Sequence, residues 1–440
     1  MFPLDWEDKK TVLAAVQAGY DMGHASEALR ADKEVVMAAM KKWGITLRSA
    51  SKELRADKEV VLEAVKQNGM ALEFASKNLR EDKEVVLEAV KQNGMALKFA
   101  SKELREYKEV VLEAVKQNGM ALEFASKELR EDKEVVIKAV KQNGTALEFA
   151  SGALKEDKDV VMEAVMKAGY ALGYASAALK ADKEVVMVAV KQKSYYSALT
   201  FASEVLKADR EVVMEAVKQN GTALEFASVA LKKDKEVVME AVKQHGYALE
   251  WASKELWENK EVVIKAVKQY GYALEFASKK LWEDKEVVLA AVKRDGCALT
   301  FASAALKADK EVVLAAVKEN SFPALIYASE ALRADKEVVL AAVKNNEYVL
   351  KHASVKLQCA PHLQLLVATR EDEIVAIVQA SREAALDVQE EVADALIFKS
   401  TKLATLEPLA AEVVAALYAP HGPFRKRDRA AFEEDFEKAQ

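Results

Sequence analysis

The feature that most constrains this chain is a 25-residue unit, plainest in Asp57–Glu81, DKEVVLEAVKQNGMALEFASKNLRE. Aligned on its opening residue, the unit recurs at Asp8, Asp32, Asp57, Asp82, Tyr107, Asp132, Asp157, Asp182, Asp209, Asp234, Asn259, Asp284, Asp309 and Asp335. These fourteen copies are spaced by 25 residues, except for intervals of 24 after Asp8, 27 after Asp182 and 26 after Asp309. A fixed period of this length marks a repeat array, in which each unit buries its apolar face only against its neighbours.

Each unit reads as two short helices. Asp57 is an N-cap whose carboxylate can accept from the free N–H groups of the first turn. Glu59 and Lys66 complement the two ends of the helix dipole. Val60, Val61, Leu62, Ala64 and Val65 are too widely spread for a one-sided stripe, so this helix is buried on several sides. Gly69, after Asn68, stands where a left-handed residue would stop the helix. The pattern predicts a second helix over residues 70–79, with Leu72, Phe74, Ala75 and Leu79 inward. Helices this short are marginal alone and must be held by packing. The expected fold is all-α: an α-solenoid with a right-handed superhelix, built of about fourteen two-helix repeats over residues 1–354. Residues 355–440 lose the period but keep apolar periodicity through 363–378, 384–398 and 406–418. They are expected to form a divergent helical C-terminal cap or a small appended helical region.

Charge narrows the functional classes. The chain carries a net −6, and residues 355–440 hold 10 Lys+Arg against 15 Asp+Glu. The array therefore keeps 55 basic and 56 acidic residues, without the uncompensated positive charge that phosphate binding demands. The two cysteines, Cys297 and Cys359, form neither a disulfide framework nor a metal cluster. The five histidines are scattered without a helical ligand pair, so no cofactor or metal is expected. The amino-terminal residues lack the apolar run of a signal peptide, and no stretch approaches the roughly 20 apolar residues of a membrane span. Two isolated thiols suit a reducing compartment, so the expectation is an intracellular, cytoplasmic protein.

No catalytic constellation stands out. The Ala-Ser pair of each unit, such as Ala75-Ser76, has no adjacent base and no oxyanion site. It reads as a small pair that lets helices approach, its hydroxyl bonded to a carbonyl one turn back. An aromatic recurs once per unit, as Phe74, Phe99, Phe124, Phe149, Tyr174, Phe201, Phe226, Trp251, Phe276, Phe301 and Tyr327. It reads as inter-repeat core, although such a ladder could also stack bases. The residue after the Gly varies inside the fixed frame, and a partner would touch there. The candidate partner-binding residues are Tyr20, Met70, Met95, Met120, Thr145, Tyr170, Thr222, Tyr247, Tyr272 and Tyr348. Tyr195, Tyr196 and Phe322 join them from the two insertions, which are expected to project from one loop edge.

The alternation ALEFASKELREDKEVVLEAVKQNG resembles the tandem repeats of the family called domain of unknown function 4116, over roughly residues 5–354. One family domain corresponds to two of the units here. The resemblance supports the repeat reading and carries over no activity and no functional residue. The sequence thus points to a non-catalytic scaffold that binds another protein along its concave surface or inter-helix loop edge. A modular single-stranded nucleic-acid binder and an end-to-end self-assembling subunit are the alternatives.

Overall fold

The computed structural model describes residues 5–193, 197–319 and 321–368, with 377, 391, 392, 394–396 and 398 as isolated helical positions. The expected helices beyond residue 398, most of the segment before it, and Tyr195 and Tyr196 lie outside the described residues. The chain divides into two compact units, Met1–Lys232 and Lys233–Gln440. Both are helical repeats, and no strand occurs among the described residues.

Repeats contain three helical pieces rather than two, except that in the repeat opening at Asn259 the third piece is a run of turns. In the repeat opening at Asp57, a ten-residue α-helix (Lys58–Gln67) is followed by a 3-10 helix (Gly69–Phe74) and a four-residue α-helix (Lys77–Arg80). The first helix forms as expected, with Asp57 Oδ1 accepting from the N–H groups of Glu59 at 3.0 Å and Val60 at 3.2 Å. The expected second helix over 70–79 is broken at Ala75-Ser76, where both residues are extended (ψ 152° and 158°). The serine is therefore not a back-bonding residue inside a helix. It opens the third helix, and in Ser101 and Ser151 the hydroxyl accepts from the N–H three residues on, at 3.4 Å.

That break serves the stacking. The serine N–H leaves its own repeat and donates to a carbonyl near the end of the preceding repeat, as in Ser76 to Arg55 at 2.8 Å and Ser126 to Arg105 at 3.0 Å. In the second unit Ser278 bonds Trp257 and Ser303 bonds Trp282, each at 3.0 Å. One backbone hydrogen bond thus ties each such pair of neighbours, at a group that would otherwise be an orphan of a helix terminus.

The glycine also differs from expectation. Among the described residues only Gly19 is left-handed, with φ 96°. Gly69 is instead the buried first residue of the 3-10 helix, and a Cβ there would sit 2.2 Å from the carbonyl oxygen of Ala89 in the next repeat. Its role is to let one repeat's 3-10 helix lie against the last turn of the next repeat's first helix.

Within the first unit, first helices pack on first helices and 3-10 helices on 3-10 helices in sequential order; the second unit repeats this arrangement. The core lies between these two rows. Val60, Val61, Ala64, Val65, Ala71 and Leu72 are wholly buried, and so are their equivalents Val262, Val263, Ala266, Val267, Ala273 and Leu274. The ladder aromatics are not part of it. Phe74, Phe124, Phe226 and Phe276 are only half-buried, because the 3-10 turn carries them to the rim.

The insertion after Asp309 is not a projecting loop. There the 3-10 helix is replaced by an α-helix, Ser321–Tyr327. Seven residues at about 1.5 Å rise span nearly the same length as six at about 2.0 Å, so the change of helix type absorbs the extra residue. The fourteenth repeat closes with its third helix, Val355–Gln358, and a further helix, Pro361–Val367, packs against the first helix of that repeat.

An ion-pair ladder runs along the start of the first helices. Lys33 Nζ lies 2.7 Å from Asp57 Oδ2 and 2.8 Å from Glu59 Oε2 of the next repeat. Lys158 and Lys285 repeat the arrangement with Asp182 and Glu184, and with Asp309 and Glu311. Tyr107 interrupts it: Lys83 keeps Glu109 at 2.6 Å and sits 4.4 Å from the centre of the Tyr107 ring.

Candidate partner-binding ridge

In the repeats from Asp57 to Glu156, and again at Tyr170, Thr222, Tyr247 and Tyr272, the variable residue after the Gly and the ladder aromatic belong to the same 3-10 helix, four residues apart, whereas Tyr20 precedes the 3-10 helix Met22–His24. Stacking then sets the variable residue of one repeat beside the aromatic of the next. Tyr170 meets Phe201 with ring centres 5.0 Å apart, Tyr247 meets Phe276 at 5.2 Å and Tyr272 meets Phe301 at 5.5 Å. These are edge-on arrangements within the range favoured by ring quadrupoles. Two features that looked separate in the sequence thus form one interleaved ridge in each unit.

The candidates occupy this ridge to different degrees. Met70, Met95, Met120, Thr145, Thr222, Tyr247 and Tyr272 are half-buried. Tyr20, Tyr170 and Tyr348 are exposed, Tyr348 to 73%. Thr145 lies across the repeat boundary from Met120, its Oγ1 3.5 Å from the Met120 sulfur, so the two positions are neighbours in the stack. Phe322 falls within the α-helix that replaces the 3-10 segment.

The residue before the Gly also contributes, which the frame-based reading missed. In the regular repeats it is Asn, whose Oδ1 caps the 3-10 helix, as in Asn68 to the Met70 N–H at 3.0 Å. Tyr270 and His245 replace that Asn and make no side-chain cap. Tyr270 is 39% exposed, with its ring 5.9 Å from Tyr247 and 6.1 Å from Tyr272. The signal was present in the sequence, as a departure from the Asn of the regular repeats, one that Trp43, Ala168 and Asp295 also make.

Carboxylates accompany the rings. The residue before the ladder aromatic is Glu in six repeats, including Glu250 and Glu275. A hydrogen bond to Glu250 raises the Tyr247 hydroxyl above its ordinary value, with burial second. Burial raises Tyr174, and the Glu148 charge adds to it. Tyr272 is pushed up to about 12 by burial and by the neighbouring Cys297.

Other features are structural or shallow. Trp257 and Trp282 donate from Nε1 to the carbonyls of Leu249 and Leu274 at 2.8 Å, satisfying the ends of 3-10 helices. An open groove of about 440 Å³ between first helices is lined by Leu13, Met37 and Ala38, with Glu34 and Lys41 at its edge. It offers mixed charge and no buried polar group to orient a small ligand. His24 is exposed and lies 5.4 Å from the Trp6 ring. His362 is buried, its pKa pushed down to about 4 by burial and by Lys336, and its Nδ1 lies 2.8 Å from Glu391 Oε2. Among the described residues no group of three or more His, Cys, Asp or Glu could hold a metal, and no helix is long and apolar enough to cross a membrane.

Stacked helical repeats of one short period, each contacting its sequence neighbours, define a helical-repeat protein. The chain belongs to the family described as Domain of unknown function (DUF4116). The family profile matches residues 8–55, 57–105, 107–155, 157–207, 182–232, 209–257, 234–282, 259–307 and 309–358. Each match spans two structural repeats. Overlapping matches such as 157–207 and 182–232 begin one repeat apart, so the pairing of repeats has no fixed phase here. No curated protein matches the chain.

Proposed function

We propose that this protein is a non-catalytic scaffold that binds another protein along the ridge formed by its 3-10 helices. The observation that carries the reading is the half-exposed aromatic row, interleaved with the one position that varies inside a fixed frame. Exposed Tyr and half-buried Met beside a buried backbone are what protein interfaces use as anchors. A ridge along the turn between a repeat's helical pieces corresponds to the inter-helix edge expected from the sequence.

A second reading has a specific observation in its favour. The ladder aromatics are half-exposed rather than buried, so single-stranded nucleic acid could stack on them. Against it stand Glu250, Glu275 and their equivalents, which would face the phosphates along the same row. Partner capture decides between the two. The full chain, purified from its native cell extract with and without nuclease, is expected to retain one stoichiometric, nuclease-resistant protein. Replacing Tyr20, Tyr170 and Tyr348 together by Ala should remove it. Recovery of nuclease-sensitive material alone would establish the second reading.

A further inference from the structure

We infer that the ridge of the second unit, centred on Tyr247, Trp251, Tyr270 and Tyr272 with Glu250 and Glu275, takes the cationic side chains of an arginine- or lysine-rich protein segment. This assignment rests on the scaffold reading and names the chemistry of its partner.

Three observations converge on it. The rings form a continuous cluster: Tyr247 lies 5.5 Å from Trp251, 5.9 Å from Tyr270 and 5.2 Å from Phe276, and Tyr270 lies 6.1 Å from Tyr272. A guanidinium or ammonium over such faces is attracted by the ring quadrupole, most strongly by Trp and Tyr. The two 3-10 helices that carry the cluster, Gly246–Trp251 and Gly271–Phe276, contain Glu250 and Glu275 and no basic residue. Carboxylates beside exposed ring faces complement a cation and oppose a phosphate. The first unit provides an internal precedent. At Lys98 the usual Glu is replaced, and its Nζ lies over the Phe99 ring, 5.8 Å from the centre. A cation supplied in cis thus takes the place that the second unit leaves to a partner.

The loss of the helix cap points the same way. Asn at the position before Gly caps the 3-10 helix in the regular repeats, and its replacement by an uncapped, 39% exposed Tyr270 sacrifices local stability for surface chemistry. The cap is also missing at Trp43 and Ala168, but only at Tyr270 does the replacing side chain join the Tyr247 and Tyr272 rings.

The test uses the full chain and a nine-residue peptide of alternating Arg and Ser, titrated calorimetrically beside the same peptide with citrulline for arginine. Citrulline keeps the shape and removes the charge. The Arg peptide is expected to bind at least tenfold more tightly. Tyr270→Ala, and Glu250→Gln with Glu275→Gln, should each weaken it at least fivefold while circular dichroism and melting stay unchanged. The same charge change in the first unit, Glu73→Gln with Glu123→Gln, should leave affinity within twofold. Equal binding of the citrulline peptide, or equal weakening by the first-unit pair, overturns the assignment. If Tyr270→Ala still releases the native partner in that case, the scaffold reading stands and only the cationic chemistry falls. If it releases neither peptide nor partner, the assignment of this cluster falls, while the scaffold reading stands or falls with the Tyr20, Tyr170 and Tyr348 variant. Tyr270-dependent binding of an oligothymidylate in place of the Arg peptide would reassign the ridge to nucleic acid.

Discussion

The repeats from Asp57 to Glu156 and those from Asp234 to Glu283 share a frame and differ in what they present. Their cores are the same: Val60, Val61, Ala64 and Val65 are as completely buried as Val237, Val238, Ala241 and Val242. In the former, the 3-10 helix is capped by Asn and followed by Met or Thr. In the latter, His245 and Tyr270 displace the cap, and Tyr247 and Tyr272 stand where Met or Thr would be. The difference teaches that interior and ridge are specified separately, so surface chemistry can change from repeat to repeat at little cost to the stack.

The strongest way to break this comparison is to strike the shared frame. Gly119→Val would place a Cβ 2.3 Å from the carbonyl oxygen of Ala139, and Gly246→Val would do the same against Ala266. Backbone cannot yield as a side chain can, so each should cost more than about 3 kcal/mol. Amide exchange protection is expected to collapse in the two repeats at the altered seam. Survival of either variant with parental protection would show that the frame is not common to both regions.

A smaller effect is expected from the ladder. Phe124→Ala and Phe276→Ala should each cost about 2 kcal/mol, roughly half the range for a wholly buried Phe, because both rings lie at the rim. Urea-dependent exchange measures both, and a loss near 4 kcal/mol in one region would place its aromatic in the core.

Tyr270→Asn sharpens the contrast further. It should restore the cap and add about 0.5–1 kcal/mol. A gain in melting temperature with loss of ridge binding is the expected signature, and a variant that melts lower would remove the argument that stability was given up there.

The smallest effect concerns acid. Hydrogen bonds from Lys133 and Lys285 hold the carboxyls of Asp157 and Asp309 below the ordinary value of 3.8, despite partial burial. A carboxyl depressed in the folded state stabilises it fully above that ordinary value, and the contribution disappears as pH falls through the depressed one. Repeats opening at Tyr107 or Asn259 lack this carboxyl. Their amide protection should fall less between pH 4 and pH 2, read by exchange at a series of pH values.

Much of the frame was legible because its causes are local. The Asp cap, the Val-Val-x-x-Ala-Val core and the period all act within one helix or by simple recurrence. The break at Ala75-Ser76 was not legible, because an apolar run of that length reads as one helix. What divides it is a hydrogen bond to Arg55, in the preceding repeat. The glycine was misread for the same reason: its constraint is the Ala89 carbonyl, 20 residues away in sequence. For the ridge, the varying positions themselves were visible. Their interleaving with the ladder, and the contribution of Tyr270, depend on how far one repeat is offset from the next, which no single repeat records.

The seams between repeats have a consequence for the chain's history. Each is made by partners one period apart, such as Ser126 with Arg105 and Lys133 with Asp157. Duplicating or excising one whole unit, for instance Tyr107–Glu131, brings together a new pair of ends that carry the same complementary groups. The number of repeats is thereby released from selection on folding, while an insertion out of phase must be absorbed within its own unit, as the helix at Ser321–Tyr327 does. Length becomes a quantity that replication errors can change in whole steps, each step adding one more position of ridge to vary.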